Sequence, residues 1–238
     1  MGQISGPLAI EVDGEVFLTP ISPTFGRVDE EFIRRTFRDR AGTLADILSL
    51  LIRGRIEGTI EHRTFIRRAM RALQQAYYTI FSLGALSVDP FHVLTDYDIR
   101  VIQNELLGEQ RFLRSFSREL RRGLFDLAPE TRARLYLAAL RGVFELGRVS
   151  ALPAGPYEWI LGDTDHCNPC ADAALNGPYK RDSTSLMSLP VVPGIPGSGE
   201  VCQGLTRCGC TLRLRGFPAN EQLQLQLRDI LYSITLEI

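Results

Sequence analysis

The sequence predicts a mainly α protein. It reads as a helical bundle domain followed by a small, loop-rich, zinc-stapled α+β module, with short strands at both termini. Three observations predict this. From Asp29 to Val149 apolar residues recur at three- and four-residue steps, the period of amphipathic helices. All five cysteines and the single tryptophan fall in one turn-rich stretch after Pro153. The two ends of the chain alternate apolar and polar residues, the period of a strand. The expected divisions are an N-terminal arm or hairpin over 1–27, the helical domain over 28–150, the cysteine-rich module over 151–216 and a tail with a strand over 217–238.

With 238 residues, 45% of them hydrophobic, the chain is long enough to bury a sizeable core. A formal net charge of −1 excludes a global field that would drive it onto nucleic acid. The cations are lopsided: of 27 Lys+Arg only Lys180 is lysine, so 26 are arginine. The guanidinium fork suits phosphate and carboxylate partners, and a GC-rich genome explains the same count without function. No apolar run reaches the length of a membrane span. The N-terminus lacks a basic region followed by an apolar one, so no secretory export is expected, which weighs against disulfides.

Taken in order, AIEVDGEVFL reads as a strand pair turning at Asp13-Gly14. Asp29 caps a helix to about Arg40, and Gly42 ends it. Thr43-x-x-Asp46 then reads as a capping box for a second helix through Leu44, Ile47, Leu48 and Leu51. A helix over about Thr59–Leu83 puts Ile66, Met70, Leu73, Tyr77 and Ile80 on one face. Arg63, Arg67 and Arg71 recur on another, with Arg68 close by. That stripe is a candidate contact for a partner or nucleic acid, though such a stripe is more often a solvated face paired with local acids. Thr95-x-x-Asp98 caps a long helix through Ile102, Leu106, Leu113, Phe116 and Leu120, interrupted at Glu109 and Gln110. Pro129 opens a last helix, in which Ala138, Ala139 and Gly142 are small enough for close helix approach. After Phe217-Pro218 the alternation of Leu223, Leu225 and Leu227, and of Ile234, Leu236 and Ile238, favours a strand over a helix through Leu223, Leu227, Ile230 and Leu231.

The module carries the chemistry. Cys167 and Cys170 form a C-x-x-C pair beside His166, with Asn168-Pro169 between them as turn residues. Cys202, Cys208 and Cys210 follow after a Ser/Pro/Gly-rich loop. Thiolates spaced this way grip one tetrahedral Zn2+ in a structural site. Cys167 and Cys170 are the first two candidate ligands, and Cys202, Cys208, Cys210 and His166 compete for the other two places. Disulfides, a C-x-x-C redox site and a catalytic cysteine served by His166 are the rivals. The redox reading calls for a helix N-terminus after a strand in a βαβ pattern, which the sequence does not display. Trp159 and Tyr157 are expected to pack against the knuckle.

A tryptophan, HC-x-x-C, an insert with Asn-Gly-Pro-Tyr, Pro/Gly-rich turns and C-x-C-x-L together resemble the C-terminal region of the phage Mu F-like minor head proteins, also called phage head morphogenesis proteins. In that family a helical region precedes a C-x-x-C pair and a closing H-P-x-C-R-C. Cys167 and Cys170 match the first pair, and Cys208 and Cys210 the closing one. This chain departs from the pattern at Val201-Cys202-Gln203, where His-Pro is expected, and at Gly209, where the family has arginine. The resemblance covers about a quarter of the chain, the span from Trp159 to Leu212. It implies a structural protein of the virion, made in the bacterial host cytoplasm and acting in head assembly with the portal, the major capsid protein and the packaged DNA.

No glycine-rich phosphate loop, G-x-S-x-G or H-E-x-x-H is present, and His62, His92 and His166 lie in separate segments. The sequence therefore points to a structural or binding protein in a multi-subunit assembly, not an enzyme and not a membrane protein. A zinc-dependent hydrolase or transferase and a zinc-knuckle nucleic-acid-binding factor are the alternatives.

Overall fold

A computed structural model describes residues 8–12, 15–19, 29–123, 128–162, 167–180, 187–191, 193, 210–215 and 221–236. Among these the chain is mainly helical, with two two-stranded sheets. Strands β1 (Leu8–Val12) and β2 (Glu15–Thr19) pair antiparallel, with Val12 opposite Glu15. That register agrees with the hairpin expected around Asp13-Gly14, two residues that lie outside the described ones.

Helix α1 (Glu30–Glu57) starts where Asp29 accepts a hydrogen bond from the Phe32 amide at 2.7 Å. It runs unbroken through Gly42, correcting the two-helix reading. The stripe Ile33, Phe37, Ala41, Leu44, Leu48 and Leu51 is buried throughout. Burying it outweighs the ~1 kcal/mol helix penalty of one glycine. Thr43 caps nothing; its hydroxyl donates to the Asp39 carbonyl one turn back. The helix ends at Gly58 with φ 80°, a left-handed position suited to glycine.

Helix α2 (His62–Leu86) is the centre of the bundle. Every residue from Ala76 to Leu86 is buried, because α1, α3 (Asp96–Arg122) and α4 (Pro129–Ala151) pack around it and β2 lies against it. Helix α3 begins at the expected capping box, with both reciprocal bonds between Thr95 and Asp98 formed. It passes straight through Glu109, whose carboxylate accepts a 2.9 Å hydrogen bond from the Tyr77 hydroxyl. The close approach of α2 and α4 occurs at Gly84 and Gly147.

After Pro153 the chain enters β3 (Tyr157–Ile160), then α5 (Asn168–Asn176), and returns as β4 (Thr211–Leu214) antiparallel to β3. A second, smaller core forms here from Val149, Leu152, Tyr157, Trp159, Leu212 and Leu214, with cysteine side chains among them. The C-terminal segment is helix α6 (Glu221–Leu236), which overturns the expected strand for the described residues. Its Leu223, Leu227, Ile230 and Leu231 are buried in the main core, where it packs on α1 and α4. Alternating leucines at 223, 225 and 227 fit either period over so short a stretch; the groove between α1 and α4 rewards the helical one. Residues 221–236 thus belong to the bundle and offer no strand edge to a partner.

Candidate functional site

The module is built on the end of α4. There Glu145 and Arg148, one turn apart, form a buried ion pair at 2.7 Å and together hold the backbone of Leu212 in β4. Glu145 accepts from the Leu212 amide at 2.9 Å and the Thr211 hydroxyl at 2.7 Å, while Arg148 donates to the Leu212 carbonyl. Burial alone would raise the Glu145 carboxyl; the Arg148 guanidinium and these donors outweigh it and hold it below its ordinary value. Arg148 is shifted upward by the same carboxylate against its own burial. The sequence signal was an acid and a base three residues apart in the mostly apolar second half of the helix.

Cys170 and Cys210 are buried in the small core with Trp159, and Cys167 packs against it. Cys167 is the N-cap of α5 and is half-buried, and Cys170 lies one turn in and is buried; the Cys170 amide donates to the Cys167 carbonyl at 3.0 Å. Asn168 and Pro169 form the first turn of α5, a position proline fits without losing a needed amide. The pair therefore does stand at a helix N-terminus after a strand. That strand pairs antiparallel with β4, so the parallel βαβ setting of a redox C-x-x-C is not present among the described residues. Cys210 is buried immediately before β4. Cys202, Cys208 and His166 lie outside the described residues, and among those described no group of three or more His, Cys, Asp and Glu side chains is positioned to hold a metal ion.

Two buried polar groups bear on whether zinc suits the module. Arg141 of α4 is 1% exposed, and its Nη2 donates to the Cys210 carbonyl at 2.7 Å. Its Nε and Nη1 find no acceptor among the described residues, nor does the buried Trp159 indole N–H. A buried cation is costly without a compensating negative charge. A zinc held by thiolates would be net negative and its sulfurs would accept N–H hydrogen bonds, which is the chemistry these two groups call for.

The arginine stripe lies elsewhere, along a groove of about 720 Å³ between α2 and α3. Arg63, Arg67, Arg68 and Arg71 of α2 and Arg114 of α3 line it over a floor that includes Ile66 and Met70. At one end the His62 Nδ1 lies 2.9 Å from the Ser117 hydroxyl, which Arg55 also meets at 3.1 Å. Burial, then the charges of Arg55, Arg118 and Arg114, hold the His62 imidazole below its ordinary value.

Asp98 gathers a cluster the sequence showed only as a helix cap. It accepts from Thr95 and Ser150 and lies 3.2 Å from His92. Ser150 meets the carboxylate and not the imidazole, so the order needed for a nucleophilic triad is absent. The cluster ties the loop before α3 to the end of α4.

No protein-family model, no curated protein and no solved structure matches the chain. No helix among the described residues is long and apolar enough to cross a membrane.

Proposed function

We propose that this chain is a structural subunit of a phage virion, a minor capsid or head morphogenesis component with a structural zinc site. The reading rests most on one observation: cysteines from both ends of the module share a single small core that α4 clamps onto the bundle. Among the described residues that core is small and its strands are four residues each, so a cross-link at the thiols suits it. Cys167 and Cys170 are its first two ligand candidates, with Cys202, Cys208, Cys210 and His166 competing for the other two places; of these four, Cys210 is described and is buried in the small core. Zinc would supply a fixed tetrahedral cross-link and no catalysis. The spacing of these cysteines is also what makes the module similar to the head morphogenesis family, and a rigid helical body with a small stapled appendage suits a subunit held between the portal and the major capsid protein. Purified particles should contain the chain together with those two proteins. Cys167→Ser should lower its incorporation at least tenfold while the soluble chain keeps its helical circular dichroism. A chain absent from particles and monodisperse as a monomer would overturn the reading.

A further inference from the structure

We infer that the groove between α2 and α3 is a binding site for the phosphate backbone of a nucleic acid. Five arginines line it, from both walls, and among the described residues no carboxylate does. Arg63, Arg67, Arg68, Arg71 and Arg114 form no ion pair among the described residues. This is not the usual solvated face, in which acids and bases alternate. Some arginines elsewhere do have carboxylates beside them: Arg34 pairs with Glu31, Arg213 and Arg215 share Glu158, and the groove beside α6 that Arg34 and Arg38 line also holds Asp229.

Like charges four residues apart destabilise a helix. Arg63, Arg67 and Arg71 form two such pairs in succession, and neither packing nor ion pairing accounts for them. Their regular step favours a ligand with regularly repeated anions. The row spans about 12 Å of helix axis at 1.5 Å per residue. A nucleic-acid strand carries one phosphate per nucleotide, so a row of this length faces a run of only a few of them. Guanidinium groups bind phosphate oxygens bidentately, and Arg114 closes on the strand from the opposite wall. Gln74 and Gln110 add neutral donors at the rim, and the Ile66 and Met70 side chains offer apolar surface to sugar or base. The positive charge is local, which reconciles the site with a net charge of −1. The site is independent of the cysteine module, so nucleic-acid binding and particle incorporation succeed or fail separately.

The test is fluorescence anisotropy of the full chain with labelled single-stranded DNA, duplex DNA and single-stranded RNA across a salt series, with a polyglutamate peptide as competitor. Two variants accompany it: R63Q/R67Q/R71Q in the groove, and R213Q/R215Q as a control that removes paired arginines outside it. The expected result is binding to at least one nucleic acid that weakens steeply with salt. The groove variant should lose at least tenfold in affinity, with a log–log salt slope shallower by about two to three. The control should be unchanged, both variants should retain wild-type circular dichroism, and the tightest nucleic acid identifies the strand form. Absence of binding, equal loss in the control, or polyglutamate binding more tightly than every nucleic acid would overturn the assignment; the last outcome would identify an acidic protein segment as the ligand.

Discussion

Gly84 of α2 and Gly147 of α4 lie against each other's helix backbones: a Cβ on Gly84 would overlap the Phe144 carbonyl, and one on Gly147 would overlap the Phe81 carbonyl. Both obstacles are main chain, so no side-chain rotation relieves them. The crossing sets the helix spacing at the centre of the bundle and hence where the end of α4 presents Glu145 and Arg148.

Gly84→Ala and Gly147→Ala are each expected to destabilise the chain by about 3 kcal/mol in urea unfolding, because overpacking against backbone forces the helices apart. Gly42 is the control. Nothing lies within 4 Å of a Cβ built there, so Gly42→Ala should be neutral or stabilising by up to about 1 kcal/mol. Equal effects at the three sites would refute the tight crossing.

The Glu145–Arg148 clamp should behave as a unit. Glu145→Ala leaves a buried guanidinium without its carboxylate and is expected to cost about 3–5 kcal/mol. The double change to Glu145→Met and Arg148→Leu should recover a large part of that loss, since an apolar pair leaves no charge stranded. Trp159, the single tryptophan, sits opposite Leu212 in the β3–β4 pair and reports on the module by fluorescence. Additive single-variant energies would mean that the two side chains act separately.

Asp98 makes acid stability specific. Burial raises its carboxyl, but hydrogen bonds from His92, Ser150 and Thr95 prevail and hold it well below the ordinary range. A carboxyl depressed in the folded state stabilises above its unfolded value, about 4, and that contribution fades as pH falls further. Wild type should therefore lose on the order of 2 kcal/mol relative to Asp98→Asn on going from pH 6 to pH 2. The variant should be the less stable one at neutral pH, lacking a full capping box. Parallel pH profiles of the two proteins would contradict this.

Much of the bundle was legible because its signals are local. Asp29, the Thr95–Asp98 box and Pro129 mark helix starts by their own chemistry, and the stripes through Ile33 and Ile102 carry the helical period. Gly42 and Thr43 misled because a local breaker signal competed with a continuous buried stripe, whose energy is tertiary. The tail from Glu221 misled for a related reason: over a few leucines the two periods coincide, and the choice depends on a groove formed by distant helices. The cysteine stretch was legible as a module, but its docking was not. The clamp on Leu212 joins residues more than sixty positions apart, and only the fold brings Arg141 to Cys210. The arginine stripe was visible at once, but that no described acid lines its groove depends on which face of α3 turns towards it.

If the proposed zinc cross-links the module, changing one of its thiols should melt the module separately from the bundle. Cys170→Ser is expected to red-shift Trp159 emission while leaving most of the helical circular dichroism, because the main core of α1–α4 and α6 does not include the small cluster. Loss of both signals together would mean that the two cores unfold as one.

The most direct test is the metal content of the purified full-length chain, measured by elemental analysis and paired with non-reducing mass spectrometry. The expected result is about one zinc per chain, no disulfides, and thiols protected from alkylation until a chelator is added. A metal-free protein with its cysteines joined in disulfides, whether Cys167 to Cys170 or across the module, would contradict it.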